Sequence, residues 1–282
     1  MQLYAKSAVV TLSLALAACT PIQQRGLPPE TSAPSRADSV RSATAAEAAP
    51  RPIAPTVSAT GETPSLQQLA AWERERNDWA NFARYRQANA QLGDPKPGEN
   101  RVVFMGNSIT DAWAKRFATD FPGKPYVGRG ISGQTTPQML VRFRQDVIAL
   151  KPKVVVILAG INDIAGNTGP STQEMIADNI MGMTELAKAN GIRVVLSSVL
   201  PAYDFPWRRG MEPAPKVVAL NRWIKAYAQG AGVIYLDYYS KMADARGGLP
   251  PELAFDGVHP TAAGYQLMAP LAETAIQEAL RR

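Results

Sequence analysis

The sequence is poor in two residue types that often carry chemistry: among its 282 residues there is one cysteine, Cys19, and one histidine, His259. No disulfide can form within one chain, and the usual ligands of a zinc site are missing. The net charge of +6 is not gathered into a run of Lys and Arg, and no stripe of basic and aromatic residues accompanies it. The sequence therefore predicts neither a metal centre nor nucleic-acid binding. Any reaction that needs an imidazole must use His259.

Long hydrophobic runs are also missing, apart from one near the N-terminus. Residues 9–18 are mostly apolar, follow Lys6 and end in small residues; such a run is too short to span a bilayer and is typical of a secretory signal. Its end, Leu16-Ala17-Ala18-Cys19, resembles a bacterial lipobox, in which the cysteine is acylated. We expect a lipoprotein signal peptide over residues 1–18 and a lipid on Cys19, the alternative being a plain signal peptide beside a chance cysteine. Thr20, rather than Asp, favours the outer membrane of a bacterial envelope, facing the periplasm.

The next two stretches differ in composition. Residues 20–64 are dense in Pro, Ala, Ser and Thr, so they cannot bury enough apolar surface to offset the entropy of ordering. We expect residues 19–64 to form a lipidated, disordered tether. Residues 65–100 are predicted to be one amphipathic helix and a turn, with Ser65 as the N-cap and Gly93 beyond the helix end. Five apolar residues recur at helical spacing and are predicted to face the core, with a ligand-binding surface as the alternative. They are Leu69, Trp72, Trp79, Phe82 and Tyr85.

From residue 101 to residue 282, short apolar runs alternate with helical patterns. Strict alternation predicts parallel strands joined by right-handed crossovers, hence an α/β fold with a three-layer α/β/α sandwich. The runs VVVIL and VVLSSV are apolar throughout, as strands covered on both faces are. The predicted strands are 101–105, 124–127, 153–159, 192–199 and 233–236. The predicted helices are 111–120, 136–150, 172–190, 214–229 and 261–281.

Three segments that follow predicted strands carry candidate functional groups, at the sheet edge where such folds bind ligands. Ser108 in GNSIT opens a helix, so its hydroxyl would face this edge and nearby N–H groups would face an oxyanion. Gly133 in GRGISG allows bare backbone to approach a substrate and offer its N–H. Asn162 in GIND can donate an amide hydrogen without titrating. Each segment also has an alternative interpretation. Ser108 could only cap the helix, the glycine segment weakly matches the dinucleotide-binding fingerprint, and Asn162 could belong to an ordinary Asn-Asp turn.

A fourth segment, DGVHP, precedes the last predicted helix and contains the single histidine. Asp256 stands three residues before His259, where a carboxylate can hold the Nδ1 hydrogen of the ring. His259 would then act as a general base, the alternative being a packing or capping histidine.

Together, the four segments resemble the SGNH hydrolases, also called GDSL esterases and lipases, whose four blocks centre on Ser, Gly, Asn and His. The resemblance covers about residues 101–282 and implies a five-stranded, flavodoxin-like parallel sheet. It also implies ester hydrolysis without a metal or organic cofactor. The residues that it implies are catalytic Ser108, Asp256 and His259, with an oxyanion hole formed by Ser108, Gly133 and Asn162.

Two positions depart from the family pattern. The Asp that usually precedes the nucleophile is Asn107 here, which changes a charge beside Ser108. The second glycine of the third block is Ile161, where we expect tolerance. Neither departure removes a catalytic atom.

The substrate is less constrained than the chemistry. By resemblance, we predict a serine esterase for short acyl, acetyl-type esters on a carbohydrate or other small alcohol. The same residues would serve a lysophospholipase, a thioesterase or an acyltransferase. Two further alternatives are not esterases: a non-catalytic, glycan-binding envelope lipoprotein and a flavin or nucleotide carrier.

A long segment after the fourth predicted strand, YDFPWRRGMEPAP, is aromatic and bounded by prolines, as substrate-contacting loops often are. In it, Trp207 could stack on a sugar face, and Arg208 or Arg209 could meet an anionic group. A loop that only wraps the surface is the alternative. Beyond the ester substrate, the predicted partner is a membrane, contacted through the N-terminal lipid alone.

Overall fold

A computed structural model describes residues 64–282 of the chain. The predicted signal peptide, the lipid on Cys19 and the tether up to residue 63 lie outside the described residues and stay predictions. The strands are β1 Val102–Gly106, β2 Tyr126–Gly130, β3 Val154–Leu158, β4 Arg193–Ser197 and β5 Ile234–Leu236. The helices are α1 Leu66–Asn77, α2 Arg86–Leu92, α3 Ser108–Ala114, α4 Phe117–Asp120, α5 Thr136–Asp146, α6 Ile161–Ile164, α7 Gln173–Ala189, α8 Pro213–Ala231, α9 Tyr239–Met242 and α10 Ala262–Arg281. None of the helices within residues 64–282 is both long and apolar enough to span a membrane.

The five strands form one parallel sheet in the order β2-β1-β3-β4-β5. This is the order of flavodoxin-like folds, and it confirms the predicted fold class. The register places Gly106 at the end of β1 opposite Gly130 of β2 and Leu158 of β3. The segments that follow these three strands therefore begin side by side at one edge of the sheet.

Helices cover both faces of the sheet, which explains why its central strands are apolar throughout. All five residues of β1 and of β3 are buried. Val103 and Met105 belong to a core shared with α5, α7 and α8. Val102 and Phe104 face the other way, into a core shared with α3, α4 and α10. Alternate side chains of one strand thus fill opposite cores, which makes the three-layer sandwich.

The second strand begins later than predicted, and the prediction that Gly128, Arg129 and Gly130 follow it is wrong. These residues lie within β2 and pair with β1. The glycines are needed because α3 crosses closely over the strand. A Cβ atom on Gly130 would lie 2.2 Å from the backbone nitrogen of Asp111, far inside van der Waals contact. The segment is therefore packed sheet, and only Ile131 onward forms the loop.

The single N-terminal helix predicted from Ser65 is also wrong, because the chain turns between α1 and α2. The carboxylate of Asp78 accepts the N–H groups of Phe82 and Ala83 at 2.7 and 2.9 Å. Asn81 adopts a left-handed conformation with φ 54°, which an α-helix cannot contain. The predicted helix 111–120 likewise divides into α3 and α4, and α6 and α9 are short helices that were not predicted.

Most of the predicted core-facing stripe of this N-terminal region is exposed, so that prediction is wrong as well. Leu69, Trp72 and Trp79 are 44%, 39% and 42% exposed, whereas Tyr85 is buried. The hydroxyl of Tyr85 donates a hydrogen bond to the carbonyl of Gly130. Only the C-terminal part of the stripe therefore packs on the sheet.

The turn between α1 and α2, residues 78–85, is fixed by glutamine side chains that reach its backbone. Gln134 donates to the carbonyl of Ala80 at 2.8 Å, and Gln138 donates to the carbonyl of Trp79 at 2.7 Å. Gln145 on α5 adds a third bond of this kind, to Phe82 at 2.9 Å. Because Gln134 and Gln138 lie at and near the loop after β2, the turn is held against the sheet edge where the candidate site lies.

Candidate active site

Ser108 stands at the point where β1 passes into α3, and it is the first residue of that helix. Asn107 forms the N-cap, with its Oδ1 accepting the N–H of Ile109 at 3.1 Å. This local bond fixes the backbone on both sides of Ser108 and leaves the first N–H groups of the helix directed at the sheet edge. The Asn107 side chain is fully buried, and its Nδ2 has no hydrogen-bond partner among the described residues. The residue that replaces the family's Asp thus keeps the cap but leaves a buried donor unsatisfied.

The structure brings the three predicted catalytic residues into one hydrogen-bonded chain. Ser108 Oγ lies 2.9 Å from His259 Nε2, although the two residues are 151 positions apart. His259 Nδ1 lies 2.6 Å from Oδ2 of Asp256. A serine, an imidazole and a carboxylate in this order can activate the hydroxyl as a nucleophile.

The loop that carries Asp256 and His259 is organised around the carboxylate. Its Oδ1 accepts the backbone N–H groups of His259 and Val258 at 2.7 and 3.0 Å. Partial burial opposes the charged form, but these bonds and the one from the imidazole outweigh it and hold the pKa of Asp256 below its ordinary value. Asp256 is therefore a carboxylate at neutral pH, as a group that orients an imidazole must be.

Gly133, in the loop after β2, and Asn162, in α6, are the predicted oxyanion donors, and Asn162 bonds to the loop that carries Gly133. Gly133 has φ +78°, a conformation that favours glycine, and its N–H has no partner within residues 64–282. Asn162 is buried and donates one amide hydrogen to the carbonyl of Gln134 at 2.9 Å. An amide carries two hydrogens, so the second remains for a ligand.

A buried arginine, which the sequence analysis missed, ties these loops to the nucleophile's strand. Arg142 on α5 has no exposed surface. It donates to Gln134 Oε1 at 2.5 Å, to Asp146 at 3.0 Å and to the carbonyl of Gly106 at 3.0 Å. The guanidinium thus links the end of β1 to the loop that holds Gly133. In the sequence, Arg142 lies three residues after Met139 and directly before Phe143, so it shares the core-facing side of the helix. A charged residue on that side was the feature that could have indicated its role.

A second buried carboxylate lies next to Asn162. Asp163 accepts the N–H of Thr136 at 3.0 Å and its hydroxyl at 2.5 Å. Burial raises the pKa of Asp163, and the bonds from Thr136 only partly offset this. Asp163 therefore joins the third segment to the start of α5 and is not part of the chain formed by Ser108, His259 and Asp256.

Two exposed aromatic rings flank His259. Trp207, 46% exposed, has its ring centroid 6.0 Å from that of His259. Phe255, 73% exposed, lies nearly parallel to the imidazole at 5.7 Å. Trp207 was predicted from the sequence and Phe255 was not, because Phe255 follows the apolar residues Leu253 and Ala254 and does not stand out among them.

Arg208, also predicted to bind substrate, has a different environment. Its Nη1 donates to the carbonyls of Ala165 and Gly166, the second at 2.9 Å. This end of the guanidinium therefore holds the loop after α6.

Comparisons with known proteins agree with this fold. The model of the GDSL-like lipase/acylhydrolase family matches residues 97–267, and the chain belongs to this family. It is therefore a hydrolase of ester bonds with an α/β fold, as predicted. The structure of an acylhydrolase from Bacteroides fragilis NCTC 9343 is 49% identical, with a TM-score of 0.70 over 72% of this chain and 99% of that one.

Two curated proteins are also similar. An acetylxylan esterase of Geobacillus stearothermophilus is 29% identical over 205 residues, which are 60% of this chain and 90% of the relative. The lipoprotein YqeF of Bacillus subtilis strain 168 is 33% identical over 78 residues, which are 27% of this chain and 32% of that protein. The first similarity extends over most of the esterase, and the second over a third of the lipoprotein.

Proposed function

We propose that this protein is a serine esterase that removes short acyl groups, of the acetyl type, from a carbohydrate through an acyl-enzyme on Ser108. The observation that carries the proposal is the series of hydrogen bonds from Ser108 through His259 to Asp256. Ser108 Oγ lies 2.9 Å from His259 Nε2, and His259 Nδ1 lies 2.6 Å from Asp256 Oδ2. The Ser108 hydroxyl is a weak nucleophile by itself, and His259 would serve as its base. The Asp256 carboxylate would fix the tautomer of the His259 ring.

In the first half of the reaction, Ser108 Oγ attacks the ester carbonyl carbon while His259 Nε2 takes the hydroxyl proton. The carbonyl oxygen becomes an oxyanion, to which the N–H groups of Ser108 and Gly133 and the Asn162 side chain donate hydrogen bonds. Collapse of this intermediate breaks the bond to the alcohol, which leaves with the proton from His259. The acyl group then remains on Ser108.

In the second half, water replaces the alcohol. His259 takes a proton from the water as its oxygen attacks the acyl carbon, and the same three donors hold the second oxyanion. Collapse releases the carboxylic acid and returns the proton to Ser108. Asp256 stays ionised throughout and stabilises the imidazolium formed in each half.

The surroundings of His259 favour a carbohydrate as the alcohol. Because His259 protonates the leaving oxygen, the alcohol must lie beside this residue, where Trp207 and Phe255 expose their rings. Aromatic faces beside polar groups suit a sugar ring, whose faces are apolar and whose edge carries hydroxyls. The acetylxylan esterase among the relatives acts, by its name, on such a substrate, and we carry its substrate class to this chain as part of the proposal.

We further propose that the enzyme is an envelope lipoprotein, with its lipid on Cys19. The lipobox-like residues 16–19 support this, and so does the similarity to the lipoprotein YqeF. A lipid anchor would keep the esterase at a bacterial membrane surface, where the Pro- and Ala-rich stretch would give it reach. Placement on the outer membrane remains part of the proposal.

The test is hydrolysis of p-nitrophenyl esters, from acetate to palmitate, by the purified protein and by Ser108→Ala. We expect the rate to be highest with acetate and to fall by about 10⁶ in the variant. Ser240→Ala is a matched control, because Ser240 is an exposed serine on α9 and its loss should leave the rate unchanged. A folded wild-type protein that is inert on every ester, or as active as its Ser108→Ala variant, would refute the proposal. A preference for palmitate would contradict only the acetyl-type substrate.

A further inference from the structure

A cleft of about 740 Å³ opens beside Gly133, between the loop after β2 and the N-terminal region. Neither Ser108 nor His259 lines it, so it extends the site away from the aromatic rings that flank His259. The volume falls within the range of about 300–1,000 Å³ that is usual for ligand sites. An acetyl group, which adds only a methyl to the reacting carbonyl, would leave almost all of this space empty.

The outer wall of the cleft is formed by α1 and by the turn of residues 78–85. Trp79 exposes 42% of its surface here, although its backbone carbonyl accepts a hydrogen bond from Gln138 at 2.7 Å. Gln134 holds Ala80 in the same way and belongs to the loop that carries Gly133. The wall is therefore fixed to the oxyanion side of the site, and the Trp79 ring is available to a ligand.

The side chains in the cleft are mostly polar, and several have no partner. Four of them make no hydrogen bond or ion pair within the described residues: Glu73, Asn77, Asn81 and Ser132. Ile131 is the one large aliphatic residue of the lining, and it is only 6% exposed. A fatty acyl chain would leave these donors and acceptors without partners at a cost in free energy. A sugar would satisfy them with its hydroxyls and lay an apolar ring face on Trp79.

From this arrangement we propose that the cleft is a glycan subsite, which binds a sugar unit next to the one that carries the ester. The inference deepens, and rests on, the proposed esterase function. A single oligosaccharide would pass from the aromatic rings beside His259, across Ser108, to Trp79. The substrate is thereby an esterified oligosaccharide or polysaccharide chain, and not a lipid or an acylated monosaccharide.

The experiment compares wild type, Trp79→Ala and Trp79→Phe on two substrates, p-nitrophenyl acetate and acetylated xylohexaose. The small ester carries no sugar unit to occupy the cleft, so the ratio of the two kcat/KM values reports on the subsite. We expect this ratio to fall by about tenfold in Trp79→Ala, through a higher KM for the oligosaccharide, and Trp79→Phe to restore most of it. Trp72→Ala is the control, because Trp72 is an exposed tryptophan of α1 that does not line the cleft.

The inference and the esterase proposal fail in different ways. An unchanged ratio in Trp79→Ala overturns the subsite while hydrolysis of p-nitrophenyl acetate, lost in Ser108→Ala, upholds the esterase. A changed preference for acyl chain length in Trp79→Ala would identify an acyl pocket and also overturns the subsite.

A binding measurement decides the matter without turnover. Unacetylated hexasaccharides of xylose, mannose, glucose and N-acetylglucosamine are titrated into the protein by calorimetry. We expect at least one to bind to wild type and to Trp72→Ala, and to bind about tenfold more weakly to Trp79→Ala. If none binds to wild type, the subsite is refuted, whatever the protein does to esters.

Discussion

The two sides of Ser108 are built differently. On one side, His259 and Asp256 lie on a surface loop, and their side chains are 25% and 23% exposed. On the other side, Asn162, Gln134 and Arg142 are almost completely buried and bond to one another or to the same backbone. In the proposed mechanism, the first side moves protons and the second holds the negative charge that develops on the substrate. Because only the second side is continuous with the core, we expect changes there to affect stability as well as rate.

The largest effect is expected on the exposed side, from His259→Ala. It removes the general base, so kcat should fall by about 10⁶. Because His259 is partly exposed, the free energy of unfolding should change by no more than about 1 kcal/mol. Steady-state kinetics and urea unfolding measure the two quantities. A large loss of stability would show that the loop of His259 and Asp256 also supports the fold.

Asp256→Asn should lower kcat by about 10⁴, because an amide favours the wrong tautomer of the His259 ring. A pH series of unfolding measurements sharpens this prediction. The pKa of Asp256 is lowered in the folded protein, so its ionised form contributes stability that is fully present above the unfolded pKa of about 3.9. That contribution is lost as the pH falls through the folded value. The stability difference between wild type and variant should therefore shrink below about pH 4, and a difference that grows there would contradict the assignment.

On the buried side, Asn162→Ala should lower kcat by about 10² to 10³ through the loss of one oxyanion donor. It should also lower the free energy of unfolding by about 1–3 kcal/mol, since the Gln134 carbonyl loses its donor. The same two measurements apply. Asn190→Ala is the control, because Asn190 is exposed at the end of α7. A lower rate without any loss of stability would show that Asn162, like His259, does not contribute to the stability of the fold.

The smallest effect on rate, about tenfold, is expected from Arg142→Met, which touches no reacting atom but loosens the loop that carries Gly133. Its effect on stability should be the largest, about 3–5 kcal/mol, because buried Asp146 loses its cation. Arg144→Met, an exposed change on the same helix, should alter neither quantity. Equal effects of the two variants would show that the buried network does not position the site.

The sequence predicted the sheet well because its strands are buried on both faces. Val154–Leu158, for example, is the continuous apolar run VVVIL, which is typical of a strand that is covered on both faces. Ser108 and His259 could also be found from the sequence, the first because it opens a helix directly after a strand, the second because no other imidazole exists. Their roles as nucleophile and base stay predictions until the variants are measured.

The sequence concealed a turn within a regular helical pattern and a buried side chain whose partners lie on other elements. Trp79 and Tyr85 continue the helical spacing of α1, so the periodicity gave no sign that Asp78 caps a turn between them. The Asn77-Asp78 pair was the available signal, because both residues favour caps and turns over helix interiors. Arg142 reads as an ordinary charged helix residue, and only the approach of Gly106 and Gln134 in the folded chain makes it a buried link.

The wall that carries Trp79 has one more consequence, for how this enzyme can diverge. The family match begins at residue 97, whereas α1 and the turn of residues 78–85 precede it. The proposed glycan subsite is therefore walled by a segment that lies outside the family match, whereas Ser108, Asp256 and His259 lie inside it. If the cleft binds a sugar as proposed, substitutions in this N-terminal stretch would change which polysaccharide is preferred without altering the three predicted catalytic residues.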